Sequence, residues 1–201
     1  MVTWQPSLLD AGGGHPGVDR AFASAVRHQL DETAWVDLVP GWVSGAGALF
    51  EELAARASWR DETRKMYDKV VATPRLTATW RTSSGRPILP VLGEMGLALS
   101  ERYGRDFDRG GLNLYRDGRD SVAWHGDRIP ADVVEPVVGI VTLGSARTFR
   151  LRPRGGGPST ALLPGPGDLL VTGGTCQRTW EHSVPKVASA GPRISITFRH
   201  G

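Results

Sequence analysis

The chain has 201 residues, 40% hydrophobic and 22% charged, with 24 basic against 21 acidic side chains and a formal net charge of +3; this balance excludes wholesale disorder. No apolar run approaches the roughly 18–20 residues that cross a bilayer, and Met1-Val2-Thr3-Trp4-Gln5-Pro6 has no basic stretch leading into an apolar one, so no membrane association and a cytoplasmic location are expected. The one cysteine, Cys176, excludes an internal disulfide and a cysteine-rich zinc site.

With 26 Gly and 14 Pro, the composition suits short strands joined by many turns rather than a helical bundle. Residues 11–17, rich in glycine, read as a loop. Residues 26–30 and 34–39 read as two strands flanking the polar Asp31-Glu32-Thr33. Ser44 can cap a helix running to about Ser58, along which Leu49, Phe50, Leu53 and Ala54 recur at helical spacing. A second helix is predicted over 88–103: Pro90 suits its first turn, Val91, Leu92, Met95 and Leu99 form an apolar stripe, and Gly104 ends it. Beyond Gly110 the texture changes to eight short strand-like runs, at 111–116, 121–124, 137–143, 148–152, 160–163, 168–172, 178–184 and 193–199. Their spacing predicts a sandwich, barrel or jelly roll. The expected fold is α+β in one domain spanning 1–201, with helices and strands of the first 110 residues packed on a β core from 111 to 201.

Two of the five histidines stand apart by context. His125-Gly126-Asp127 follows a predicted strand, and in extended chain residues i and i+2 point the same way, so imidazole and carboxylate can meet one ion. His182 lies in another predicted strand. Two imidazoles and one carboxylate make the facial triad of mononuclear non-haem Fe(II) oxygenases, although H-x-D alone is a weak signal and one exposed plus one core histidine is the plainer reading. The final strand alternates strictly, with Arg193, Ser195, Thr197 and Arg199 on one face and Ile194, Ile196 and Phe198 on the other. A solvated edge would explain the polar face. Two guanidinium forks could instead grip the carboxylates of a small dicarboxylate, with Asn113 and Tyr115 supplying an amide and a phenol to the same pocket.

Taken in order, N-x-Y at Asn113 and Tyr115, His125-Gly126-Asp127, Gly167-Asp168-Leu169-Leu170-Val171, Trp180-Glu181-His182-Ser183-Val184-Pro185 and the closing R-x-S-x-T-x-R resemble the AlkB-type Fe(II)/2-oxoglutarate dioxygenases, over roughly the last 90 residues. The resemblance implies a double-stranded β-helix (jelly-roll) core. It also implies an oxidoreductase that uses Fe(II), 2-oxoglutarate and O2 to remove alkyl groups from nucleobases, with DNA expected before RNA and DNA repair as the setting. By resemblance His125, Asp127 and His182 bind the iron, Tyr115 and Arg193 hold the distal carboxylate of 2-oxoglutarate, and Asn113 and Arg199 lie near its 1-carboxylate. Ser195 stands where the family's motif usually has Asn, and Ile129 stands where many members carry an acidic, base-reading residue.

Tyr67, Arg75 and Trp80 fall where the family places nucleotide-recognition segments, signalled by Thr73-Pro74-Arg75, and could stack on a base or grip phosphate. Trp124 and Trp180 could wall the pocket or pack in the core. Arg150, Arg152 and Arg154, with Arg147 nearby, could track phosphate or form a solvated strand face. A monomer is expected. Competing readings are a hydroxylase or demethylase of RNA, protein or a small molecule, a non-catalytic nucleic-acid-binding β domain, and a zinc hydrolase, which gives Arg193 and Arg199 no purpose.

Overall fold

The apolar side chains of the strands beyond Gly110 put one face of the larger sheet against helices and its other face against a second, smaller sheet. The computed structural model describes residues 15–66, 69–81, 88–127 and 129–200. In chain order the elements are β1 (Gly17–Val18), β2 (Val26–Gln29), β3 (Ala34–Val39), β4 (Val43–Ser44), α1 (Ala46–Arg56), β5 (Arg60–Met66), β6 (Lys69–Arg81), α2 (Pro90–Tyr103) and β7 (Arg109–Tyr115). There follow β8 (Val122–His125), β9 (Val138–Gly144), β10 (Phe149–Pro153), β11 (Thr160–Leu162), β12 (Leu169–Gly174), α3 (Cys176–Thr179), β13 (Trp180–Val184) and β14 (Arg193–Arg199).

An eight-stranded antiparallel sheet runs β2-β3-β12-β9-β14-β7-β6-β5, and a four-stranded one runs β11-β10-β13-β8. This is the α+β, jelly-roll architecture expected from the sequence. The strand β14 is not an edge: it pairs along its length with both β7 and β9. Its Ile194, Ile196 and Phe198 face the helix-side core with Leu112, Leu114, Val141 and Leu143, against Leu49, Phe50 and Leu53 of α1 and Leu92, Met95 and Leu99 of α2. Each such side chain contributes about 1.5–3 kcal/mol by its burial. The opposite face of the sheet shares a second cluster with the smaller sheet, in which Tyr115, Ile140, Phe149, Leu151, Leu170 and Trp180 meet.

Three local readings are corrected. Ser44 does not cap α1: it pairs with Gly17 in the β1–β4 ladder, and the N-cap is Gly45, whose φ of 64° suits a glycine. The strand expected from 178 starts at Trp180, because Cys176–Thr179 form a short helical turn. Residues 60–81, for which no strands were expected, contain the β5–β6 hairpin. Pro74 masks it, since proline argues against a regular strand. The chain accommodates it where the register with β5 shifts, between the Asp61–Leu76 and Thr63–Ala72 pairs.

Candidate functional site

The register of the smaller sheet sets His182 of β13 directly opposite His125 of β8, with ring centroids 4.3 Å apart. Asp127 lies just past the end of β8, and ligand-capable atoms of His125, Asp127 and His182 all fall within 4.8 Å of one another. Each is held from behind. Nδ1 of His125 is 2.9 Å from the Ala123 carbonyl, which can only accept, so Nδ1 carries the proton and Nε2 keeps its lone pair. The His182 ring stacks on Phe149 at 5.2 Å. Burial drives its pKa down to about 4, partly opposed by Asp127, so it is a neutral imidazole at pH 7. Burial would by itself raise the Asp127 pKa, yet Arg199 and the two imidazoles hold it below the ordinary carboxylate value. Arg199 Nη2 donates to Asp127 Oδ1 at 2.9 Å, leaving Oδ2 for an ion. The backbone N–H of Asp127 donates to Gln177 Oε1 (3.3 Å), and Gln177 Nε2 donates to Thr172 Oγ1 (2.7 Å). Gln177 went unnoticed in the sequence because it belongs to α3, which has no strand or helix signature.

The polar face of β14 is buried rather than solvated. Arg193 is 1% exposed and pairs across the ladder with Tyr115, and its Cζ lies 5.0 Å from the Tyr115 ring centroid. Arg193 Nη2 donates to Thr142 Oγ1 at 3.1 Å, while Nε and Nη1 have no hydrogen-bond partner among the described residues. Burial of this cation lowers its pKa. Thr142 of β9 carried no sequence signal, because a buried threonine in a Val/Ile/Leu run looks like packing. Two positions along β14, Ser195 Oγ accepts from Asn113 Nδ2 at 3.3 Å, and Arg75 Nε donates to Asn113 Oδ1 at 2.8 Å. Arg199 Nη1 also donates to Thr197 Oγ1 at 3.2 Å. The structure thus brings His125 and His182 of the smaller sheet, with Asp127 just past β8, to the side of the larger sheet that carries Asn113, Tyr115, Arg193, Ser195, Arg199 and Arg75, the two linked by the Arg199–Asp127 bond.

Two expected substrate residues are not at the pocket. Trp80 is 6% exposed and packs edge-on against Phe198 at 5.5 Å, within the helix-side core, where no base can reach it. Trp124 points away from the pocket because it neighbours His125 in β8. Its ring is covered at 4.2 Å by Arg152, which pairs with Glu181 at 3.0 Å. Arg152 is therefore engaged, whereas Arg150 and Arg154 are exposed. Trp180 is in the core, its Nε1 donating to Asp31 Oδ2 at 2.6 Å. Tyr67 lies outside the described residues. Among the described residues no helix is long and apolar enough to cross a membrane.

A buried guanidinium with free nitrogens is costly unless an anion joins it. Two neutral imidazoles and a carboxylate are a donor set for a divalent metal. The residues present therefore fit both an ion and a carboxylate ligand.

Comparison with known proteins agrees. The family model described as 2OG-Fe(II) oxygenase superfamily matches residues 44–199, extending well upstream of the C-terminal motifs. The chain is 33% identical over 222 residues to alpha-ketoglutarate-dependent dioxygenase alkB homolog 3 of Mus musculus, covering 99% of this chain and 78% of that protein. It is 29% identical over 150 residues to DNA oxidative demethylase ALKBH2 of Homo sapiens, covering 70% of this chain and 58% of that protein. The crystal structure of an oxidoreductase of the 2OG-Fe(II) oxygenase family from Burkholderia pseudomallei shares the fold, with a TM-score of 0.51 and 18% identity over 77% of this chain and 78% of that one. With a His/Asp/His triad set in this fold, the chain belongs to the AlkB-type Fe(II)/2-oxoglutarate-dependent dioxygenases and is an oxidoreductase.

Proposed function

We propose that the protein removes alkyl groups oxidatively from nucleobases, using Fe(II), 2-oxoglutarate and O2, with DNA as substrate before RNA and alkylation repair as the role. The observation that carries the cosubstrate reading is Arg193, a buried guanidinium with two nitrogens unpartnered, facing Tyr115 on the strand whose far end, Arg199, fixes Asp127. His125, Asp127 and His182 would hold the iron. Tyr115 and Arg193 would take the distal carboxylate, and Asn113, Ser195 and Arg199 would line the end near the metal. When bound, iron with 2-oxoglutarate and O2 supplies the oxidation: one oxygen atom leaves in succinate, formed with CO2, and the other goes to the N-alkyl carbon, which departs as formaldehyde for a methyl group.

The chain's own part is preorganisation. His125 offers Nε2 because the Ala123 carbonyl fixes its proton on the other nitrogen. His182 needs no deprotonation at neutral pH. Arg199 keeps Asp127 ionised and aimed. Asn113, anchored by Arg75 and Ser195, keeps its orientation between the two carboxylate-binding ends.

A nucleic-acid substrate is supported by the relatives, one of them named a DNA oxidative demethylase. Arg75, half-buried beside Asn113, and the exposed Arg154 are cations suited to phosphate. Ile129 packs toward the second core cluster, so the position two residues beyond Asp127 presents no carboxylate to a base.

The test is anaerobic loading with Fe(II) and 2-oxoglutarate, then addition of O2 with methylated single- and double-stranded DNA and RNA, quantifying formaldehyde and succinate. Formaldehyde equal to succinate on at least one methylated nucleic acid, falling steeply with salt, is expected. Absence of formaldehyde from all four substrates would refute the proposal.

A further inference from the structure

Arg147 lies in the link between β9 and β10 and is 2% exposed. Among the described residues its fork donates only to backbone carbonyls: Nη1 to Asp117 (3.1 Å), and Nη2 to Gly118 (3.5 Å), Asp120 (3.0 Å) and Pro185 (2.6 Å). It therefore ties the loop after β7 to the segment after β13, a junction also made by Val187 N donating to the Gly118 carbonyl at 2.9 Å. Its Cζ is 6.0 Å from the Tyr115 ring centroid, on which Arg193 already bears at 5.0 Å.

The charges around it do not cancel. Asp117 is taken by Arg119 at 2.7 Å and Asp120 by Arg116 at 2.8 Å, so each aspartate in that loop has its own guanidinium. Arg147 is left as the third arginine beside two aspartates. Carbonyl dipoles solvate its charge without neutralising it. Burial lowers its pKa, yet a guanidinium so solvated stays protonated at neutral pH. Among the described residues Arg147 thus adds a fixed positive charge beside Tyr115 to that of Arg193, whose Cζ bears on the same ring.

We propose that Arg147 is an electrostatic positioning residue for 2-oxoglutarate, strengthening the hold on its distal carboxylate from behind Tyr115 without touching it. This rests on the cosubstrate reading above. By Coulomb's law a unit charge about 10 Å from a carboxylate, with an effective dielectric near 20, would be worth about tenfold in affinity.

The test is calorimetric binding to the full chain loaded with Mn(II), comparing 2-oxoglutarate with 2-oxopentanoate, in which a methyl group replaces the distal carboxylate. Arg147→Gln should weaken 2-oxoglutarate about tenfold and leave 2-oxopentanoate within about twofold. Arg147→Lys, which keeps the charge, should hold 2-oxoglutarate within about threefold of the unaltered protein. Equal weakening of both ligands in Arg147→Gln, or no weakening of either, overturns the inference. If Arg147→Gln does not fold, a folded Arg147→Lys that loses tenfold or more for 2-oxoglutarate overturns it. Failure of the unaltered protein to bind 2-oxoglutarate would instead strike the cosubstrate reading itself.

Discussion

Replacing Arg193 with methionine should move stability and ligand affinity in opposite directions. The guanidinium is 1% exposed, donates one hydrogen bond to Thr142 and leaves Nε and Nη1 unpartnered. Without an anion it is a buried cation incompletely compensated, and exchanging such groups for apolar ones of similar shape stabilises by about 1–4 kcal/mol. The lost Thr142 bond and the lost contact with the Tyr115 ring each take back about 0.5–1 kcal/mol. The net expectation for Arg193→Met without ligand is a gain of about 1–2 kcal/mol, or about 2–8 °C in Tm for a chain of this size. In the presence of 2-oxoglutarate the sign reverses. Losing a charge-assisted, bidentate-capable partner for a carboxylate costs about 2–5 kcal/mol, so affinity should fall roughly 30- to several-thousand-fold. Calorimetric unfolding and titration with 2-oxoglutarate read both effects on one sample. A variant less stable than the unaltered protein without ligand would show that Arg193 is not an uncompensated buried cation, and one binding 2-oxoglutarate as well would show that it is not a carboxylate anchor.

Other outcomes follow from the same geometry. Arg199→Met removes the guanidinium that fixes Asp127 Oδ1, and Mn(II) affinity by electron paramagnetic resonance should drop about 10- to 100-fold. Gly110→Ala would drive its Cβ into the Trp80 indole and the Thr197 carbonyl. It should destabilise by about 1–3 kcal/mol in chemical denaturation. Burial, reinforced by the charges of Asp31 and Asp127, pushes the Cys176 thiol up to about 12. At pH 8.5 the native thiol should therefore resist alkylation, and unfolding, which returns its pKa to the ordinary range, should restore labelling; rapid labelling of folded protein would contradict its burial.

How much of this could be read in the sequence depended on whether local pattern decided structure. The β14 alternation was legible because period two is all a strand needs. What it could not say was whether the polar face met water or another sheet; pairing on both sides by β7 and β9 decided that. His125, Asp127 and His182 were legible as residue types at suggestive spacing, whereas their convergence depends on the β8–β13 register, which sets His182 opposite His125 across 57 positions of chain. Trp80 and Trp124 misled because a tryptophan looks alike whether it stacks on a base, fills a core or lies under an arginine. Arg147 was grouped with a surface stripe because only tertiary structure reveals four carbonyls waiting for one fork. Pro74 hid the β5–β6 hairpin, since a register shift that tolerates proline leaves no local mark.

If His125, Asp127 and His182 act as one metal site, titration with Mn(II) under anaerobic conditions will show it. One ion per chain is predicted, tightened by 2-oxoglutarate, with binding abolished in His182→Ala and in Asp127→Ala while both variants retain their far-ultraviolet circular dichroism. A folded Asp127→Ala or His182→Ala variant that binds the ion as the unaltered protein does would contradict it.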